Sequence, residues 1–144
     1  MNESSPSASE LLTSVLTCMD HRLHPLAILG LEPGEAHVVR NAGGYVTDDA
    51  IRSICLSQQL VGTNRILVLH HTDCAASAKS AEGYRALVEA NTGISPAWGV
   101  EPIGDPRERV LAAMEQLRAS PLLDAANLEG YVYNVDDGSL TPVE

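Results

Sequence analysis

The segment "RILVLHHTDC", residues 65–74, joins an apolar run to a turn rich in chemistry. Ile66 to Leu69 are continuously apolar, which fits a strand wet on neither face and therefore the interior of a parallel sheet. Adjacent strand residues point to opposite faces, so only one of the two histidines that end the run can join Cys74. The His-x-x-Cys spacing selects His71 and leaves His70 to pack or hydrogen-bond elsewhere.

Working outward, "LLTSVLTC" (11–18) reads as a second buried strand and "AHVVR" (36–40) as a third, which enters the glycine turn "NAGG". A short helix, "HPLAILGL", lies between them. Thr47 can cap a helix running to about Leu60, with Asp48 and Asp49 at the positive end of its dipole and Gly62 as its stop. On that helix Ile51, Ile54, Cys55 and Gln58 share a face, and Cys55 reads as a buried thiol. A further helix is expected over 81–91. Asp105-Pro106-Arg107-Glu108 opens another as a capping box with proline in the first turn, and it should run to about Ala119. "GYVYNV" then reads as a strand, and "DDGSL" turns into a last strand, "LTPV". Strands alternating with helices imply an α/β fold, a mainly parallel sheet flanked by helices with an antiparallel C-terminal edge strand.

Ligands of open parallel sheets collect beyond the carboxyl ends of strands, where strand order reverses. Cys18 ends the first strand in "TCMDHR", and His71 with Cys74 lies past the end of the 65–70 strand. If these strands are neighbours, two thiolates and one imidazole converge. That set suits a zinc ion with its fourth position open, the catalytic kind of site. Asp20 and Arg22 complete a Cys-x-Asp-x-Arg spacing. A carboxylate beside the metal can accept a hydrogen bond and relay a proton, and an arginine fork keeps it oriented and ionised. Zinc lowers the pKa of bound water to roughly 7, which makes hydroxide available at neutral pH. His21, His24 and His37 read as solvated or supporting residues. The "RNAGG" turn reads as structural, with backbone N–H groups that could line the crevice.

Composition narrows the classes. At 144 residues the chain has the length of one domain, expected over 11–144 behind a flexible tail over 1–10. Hydrophobic residues make up 44%, yet phenylalanine is absent and aromatics are 3%, so the core must rest on Leu, Val, Ile and Ala. The net charge of -10, with Lys79 as the single lysine, excludes a basic nucleic-acid or anionic-membrane surface. No apolar run approaches a membrane span. "MNESSPSASE" carries acid where a signal peptide carries positive charge, and three cysteines argue against a disulfide framework. A cytoplasmic protein with reduced thiols is expected.

"CMDHR", "VVRNAGG" and "LVLHHTDC", in that order, resemble the three signature segments of β-class carbonic anhydrases, closest to the compact bacterial members. The resemblance covers roughly residues 13 to 143. It implies Cys18, His71 and Cys74 as ligands of one zinc per chain, and Asp20 with Arg22 as the catalytic dyad. It implies reversible hydration of carbon dioxide to bicarbonate by zinc-bound hydroxide, in a homodimer or dimer-built tetramer. The alternatives are hydrolysis of carbon disulfide or carbonyl sulfide on the same zinc, and a non-catalytic zinc protein with Asp20 as fourth ligand. The chain departs from the family pattern at Ala75 and Ala76, where glycine and a larger apolar residue are usual. A second departure is the short stretch before Cys18, where members carry a longer helical arm.

Overall fold

Parallel pairing of β1 (Thr13–Cys18) with β3 (Arg65–His71) forms the centre of the sheet, with Leu16 opposite Val68 and Thr17 opposite Leu69. The computed structural model describes residues 11–74, 80–98 and 105–143. The expected tail over 1–10 and the Ala75–Ala76 departure lie outside the described residues. On the far side of β1 runs β2 (Ala36–Asn41), parallel, with Asn41 opposite Cys18. Beyond β3 runs β4 (Leu128–Tyr133), also parallel, with Tyr133 opposite His71. The antiparallel edge strand β5 (Leu140–Val143) completes the order β2-β1-β3-β4-β5. The chain moves from β1 to one side and then returns to the other, so the order reverses between β1 and β3. The condition for convergence is met.

Side chains buried in β1 and β3 alternate between two faces. Leu16, Ile66 and Val68 form a cluster with Ala50 and Ile54 of α2 (Asp48–Leu56) and with Val110, Ala113, Met114 and Leu117 of α4 (Pro106–Ala119). At Gly130 of β4, a Cβ would run into Val110 and Met114; the missing side chain is what lets α4 lie this close. A second, smaller cluster joins Ile28 of α1 (Pro25–Leu29) and Leu23 to Tyr133, Cys18 and Cys74. The helix α3 (Ala81–Thr92) is capped by Ser80, whose side chain accepts from the Gly83 N–H at 3.0 Å.

Three expectations need refinement. The helix from Thr47 does reach Leu60 and stop at Gly62, but its last turn differs in type: α2 ends at Leu56, and a π-helical turn covers Ser57–Val61 before Gly62, left-handed at φ 90. There Ser57 Oγ sits within a buried cluster, 2.8 Å from Ser14 Oγ, 2.7 Å from Thr63 Oγ1 and 2.7 Å from His37 Nδ1. Secondly, the face turned to the sheet runs through Ala50, Ile54 and Ser57, so Cys55 sits on its flank, half-buried instead of buried. Thirdly, the strand expected to begin at Gly130 begins at Leu128 and ends at Tyr133. It stops because Asn134 starts a turn, its Oδ1 accepting from the Asp136 N–H at 2.8 Å.

Thr47 does cap α2, its side chain accepting from the Ala50 N–H at 3.1 Å, and Asp105 caps α4 by accepting from the Glu108 N–H at 3.1 Å. No helix among the described residues is long and apolar enough to cross a membrane.

Candidate metal centre

Cys18 leaves the carboxyl end of β1, His71 the carboxyl end of β3, and Cys74 the turn just beyond. Their ligand-type atoms lie within 4.8 Å of one another, and all three residues are buried. The two sulfurs are 3.9 Å apart. The neighbouring Cys74 sulfur, with burial adding to it, pushes the Cys18 thiol well above its usual range. Two thiolates this close, away from water, repel each other, and a cation between them would relieve the repulsion.

His71 gives the sharper test of fit. Its Nδ1 donates to the Thr72 carbonyl at 2.7 Å, which fixes the tautomer and leaves a lone pair on Nε2. That Nε2 is buried and has no hydrogen-bond partner. A native interior pairs its polar atoms, and an imidazole nitrogen left free beside two sulfurs fits a zinc ion. His70, as alternation requires, points elsewhere: its Nε2 meets the Gly44 carbonyl at 3.1 Å, and burial pushes its pKa down to about 4.

Asp20 and Arg22 stand beside this group. Asp20 Oδ2 lies 4.0 Å from His71 Nε2. Hydrogen bonds from the Arg22 side chain hold the Asp20 carboxyl well below the usual carboxylate range, against the opposing effect of burial. Arg22 also reaches Asp73 between the two downstream residues, donating to its Oδ2 at 3.1 Å and its carbonyl at 2.9 Å. Asp73 itself is left-handed at φ 52, a conformation that aspartate tolerates better than most residues. His21, as expected, is exposed.

The "RNAGG" turn contributes more than structure. Arg40 donates to the carbonyls of Cys18 at 3.0 Å and Asp20 at 2.9 Å, fixing the Cys-x-Asp-x-Arg backbone. The Gly43 N–H donates to Cys18 Sγ at 3.4 Å. Gly44 is left-handed at φ 69, and a Cβ there would meet backbone atoms Thr17 C at 3.0 Å and Cys18 N at 3.1 Å. Only glycine lets the turn lie this close to the end of β1.

Sequence reading passed over Arg109. It is buried on α4, its Nη2 donating to the Gly43 carbonyl at 2.7 Å and lying 3.8 Å from Cys74 Sγ. A signal was there: Arg109 falls on the stripe with Val110, Ala113, Met114 and Leu117 that α4 buries. A cation on an apolar stripe is seldom buried without a partner.

The chain is similar to known proteins over most of its length. Residues 13–129 match the family model described as carbonic anhydrase. β-Carbonic anhydrase 1 of Mycobacterium tuberculosis is 40% identical over 131 residues, covering 90% of this chain and 80% of that protein. A carbon disulfide hydrolase of Acidianus is 37% identical over 147 residues, covering 85% of this chain and 72% of that protein. Among solved structures, the carbonic anhydrase of Streptococcus mutans superposes with a TM-score of 0.88 at 38% identity, covering 94% of this chain and 82% of that one.

Proposed function

Because the chain belongs to the β-carbonic anhydrase family, we propose that it interconverts carbon dioxide and bicarbonate at one zinc ion held by Cys18, His71 and Cys74. It is a lyase of the carbonate dehydratase type. The observation that carries the site assignment is the unpartnered, buried Nε2 of His71, set among two sulfurs and facing the Asp20 carboxylate. When bound, zinc would supply the Lewis acidity that makes water a nucleophile near neutral pH.

The chain's own residues do the rest. Thr72 holds the His71 proton on Nδ1, so Nε2 stays a ligand. Asp20, kept ionised by Arg22, offers an acceptor oxygen to the proton of the attacking water. Arg22 fixes that oxygen's direction through two side-chain bonds, and its links to Asp73 tie the dyad to the His71–Cys74 turn. Leu23, Ile28 and Tyr133 supply an apolar wall suited to an uncharged substrate. Both carboxylate oxygens are bound to arginine, which supports Asp20 as acid–base partner over Asp20 as fourth ligand.

A second reading has specific support: a relative at 37% identity is named a carbon disulfide hydrolase, and a linear sulfur compound could use the same atoms. Rates of carbon dioxide hydration and of sulfide release from carbon disulfide and carbonyl sulfide, measured on one zinc-loaded preparation, decide between them. Hydration should dominate; sulfide release without hydration would transfer the assignment to the second reading.

We further infer a homodimer in the cytoplasm. Leu56, Leu60 and Val61 are exposed beside β2, an edge strand of the described sheet, and a second copy would cover them. The three cysteines form no disulfide, the state that a reducing compartment maintains. Sedimentation at micromolar concentration should give a dimer, and an active monomer would contradict it.

A further inference from the structure

Arg109 is 2% exposed, and among the described residues no carboxylate pairs with it. Burying an unpaired cation is strongly unfavourable, so something else must offset its charge. Its Nη2 faces Cys74 Sγ at 3.8 Å and donates to the Gly43 carbonyl at 2.7 Å. The N–H of that same Gly43 donates to Cys18 Sγ at 3.4 Å. One guanidinium nitrogen therefore touches one sulfur directly and the other through a single residue. The Tyr45 ring lies 5.3 Å from the guanidinium carbon, an aromatic face that favours a cation.

We propose that Arg109 is a positioning residue for the two sulfur ligands. It holds the Gly43 turn against Cys18, and it supplies a charged donor to Cys74 from a helix locked in the core. The inference rests on the zinc reading above. A donor aimed at a thiolate stabilises the sulfur lone pairs and limits the charge they pass to a metal. The partner of a ligand thus sets both metal affinity and metal electronics, and removing such a partner typically costs about 10- to 100-fold in metal affinity or activity.

The test compares Arg109→Met, Arg109→Lys and Val110→Ala with wild type. Val110 is equally buried on α4 but packs in the Leu16 cluster. Two readouts are taken: zinc affinity by competition with a chromophoric chelator, and the thiolate-to-metal charge-transfer band of the cobalt(II)-loaded protein. Arg109→Met should bind zinc at least about tenfold more weakly, with the cobalt band moved to longer wavelength. Arg109→Lys should recover part of both, because an ammonium is a point charge without the fork. Val110→Ala should melt at lower temperature with affinity and band as in wild type.

A wild-type affinity and band in Arg109→Met would overturn the proposal, as would equal shifts in Val110→Ala, which would mean packing alone. If Arg109→Met does not fold, wild-type values in Arg109→Lys overturn it equally. A wild-type chain that takes up neither metal defeats the zinc reading, and this one with it. Zinc uptake by wild type beside an unchanged Arg109 variant defeats this one alone.

Discussion

Arg22 grips both carboxylate oxygens of Asp20, donating from Nε to Oδ1 at 3.0 Å and from Nη2 to Oδ2 at 2.8 Å. The Arg22 backbone N–H adds a third bond to Oδ1 at 2.8 Å. A carboxylate held this way stays ionised and aimed, and its Oδ2 lies 4.0 Å from His71 Nε2. Orientation comes from a residue two positions along the chain, so the dyad is nearly complete within one short loop.

Asp20→Asn should therefore keep its zinc and lose hydration activity by at least about a hundredfold, the low end for a positioned acid–base group. The amide can still accept from Arg22 but takes no proton and carries no charge. Metal analysis and stopped-flow rates on the same sample check this; near-wild-type turnover would remove Asp20 from the chemistry.

The two adjacent histidines should separate cleanly. His71→Ala should lose zinc, whereas His70→Ala should retain it and melt at a lower temperature, because the Gly44 carbonyl loses its 3.1 Å partner. A net cost of about 0.5–1.5 kcal/mol is expected for that bond, plus the cavity. Zinc loss in the His70 variant, with His71 still present, would reverse the assignment.

Gly130→Ala should destabilise the fold without touching the site. Its Cβ meets Val110 and Met114 in the α4–β4 contact, and overpacking of this kind costs about 1–3 kcal/mol. Thermal or urea unfolding of the zinc-loaded proteins measures it. An unchanged midpoint would mean that α4 has room to yield.

How much of this was legible without coordinates follows from which forces are local. The period of two along "RILVLHH" separates His70 from His71, and the structure keeps that separation. Thr47, Asp105 and Gly62 announce helix ends through bonds and torsions within a few residues, and all three do so here. That Cys18 would meet His71 depended on β1 and β3 being neighbours, a condition that strand order alone supplies. The Ser57 cluster was hidden because the partners of Ser57 include Ser14, 43 residues away. Arg109 was hidden for a similar reason: its burial is made tolerable by Gly43, 66 residues distant. Capping and alternation can be read along the chain; partners brought together by folding cannot.

Acid should weaken the contact between β3 and β4 in a defined sense. Arg65 Nε donates to Glu129 Oε2 at 2.7 Å and Tyr131 Oη to Oε1 at 3.0 Å, and the Arg65 bond chiefly holds the Glu129 carboxyl below its ordinary value. A folded-state pKa below the unfolded one contributes stability above the unfolded value and loses it as pH falls through the folded one. Both partners are about a third exposed, at 35% and 38%, so the pair is worth only about 0–1 kcal/mol. Glu129→Gln should melt slightly below wild type at neutral pH, and the gap should close in acid. A gap that widens in acid contradicts the assignment.

Stoichiometric zinc titration of metal-free protein, with carbon dioxide hydration followed by stopped flow at each addition, tests the metal centre most directly. Hydration should start near the uncatalysed rate, rise in proportion to added zinc and stop rising at one ion per chain. The Cys74→Ala variant should stay flat throughout. Hydration that is already complete before zinc is added, or that the Cys74 variant reproduces, would contradict a catalytic centre built from Cys18, His71 and Cys74.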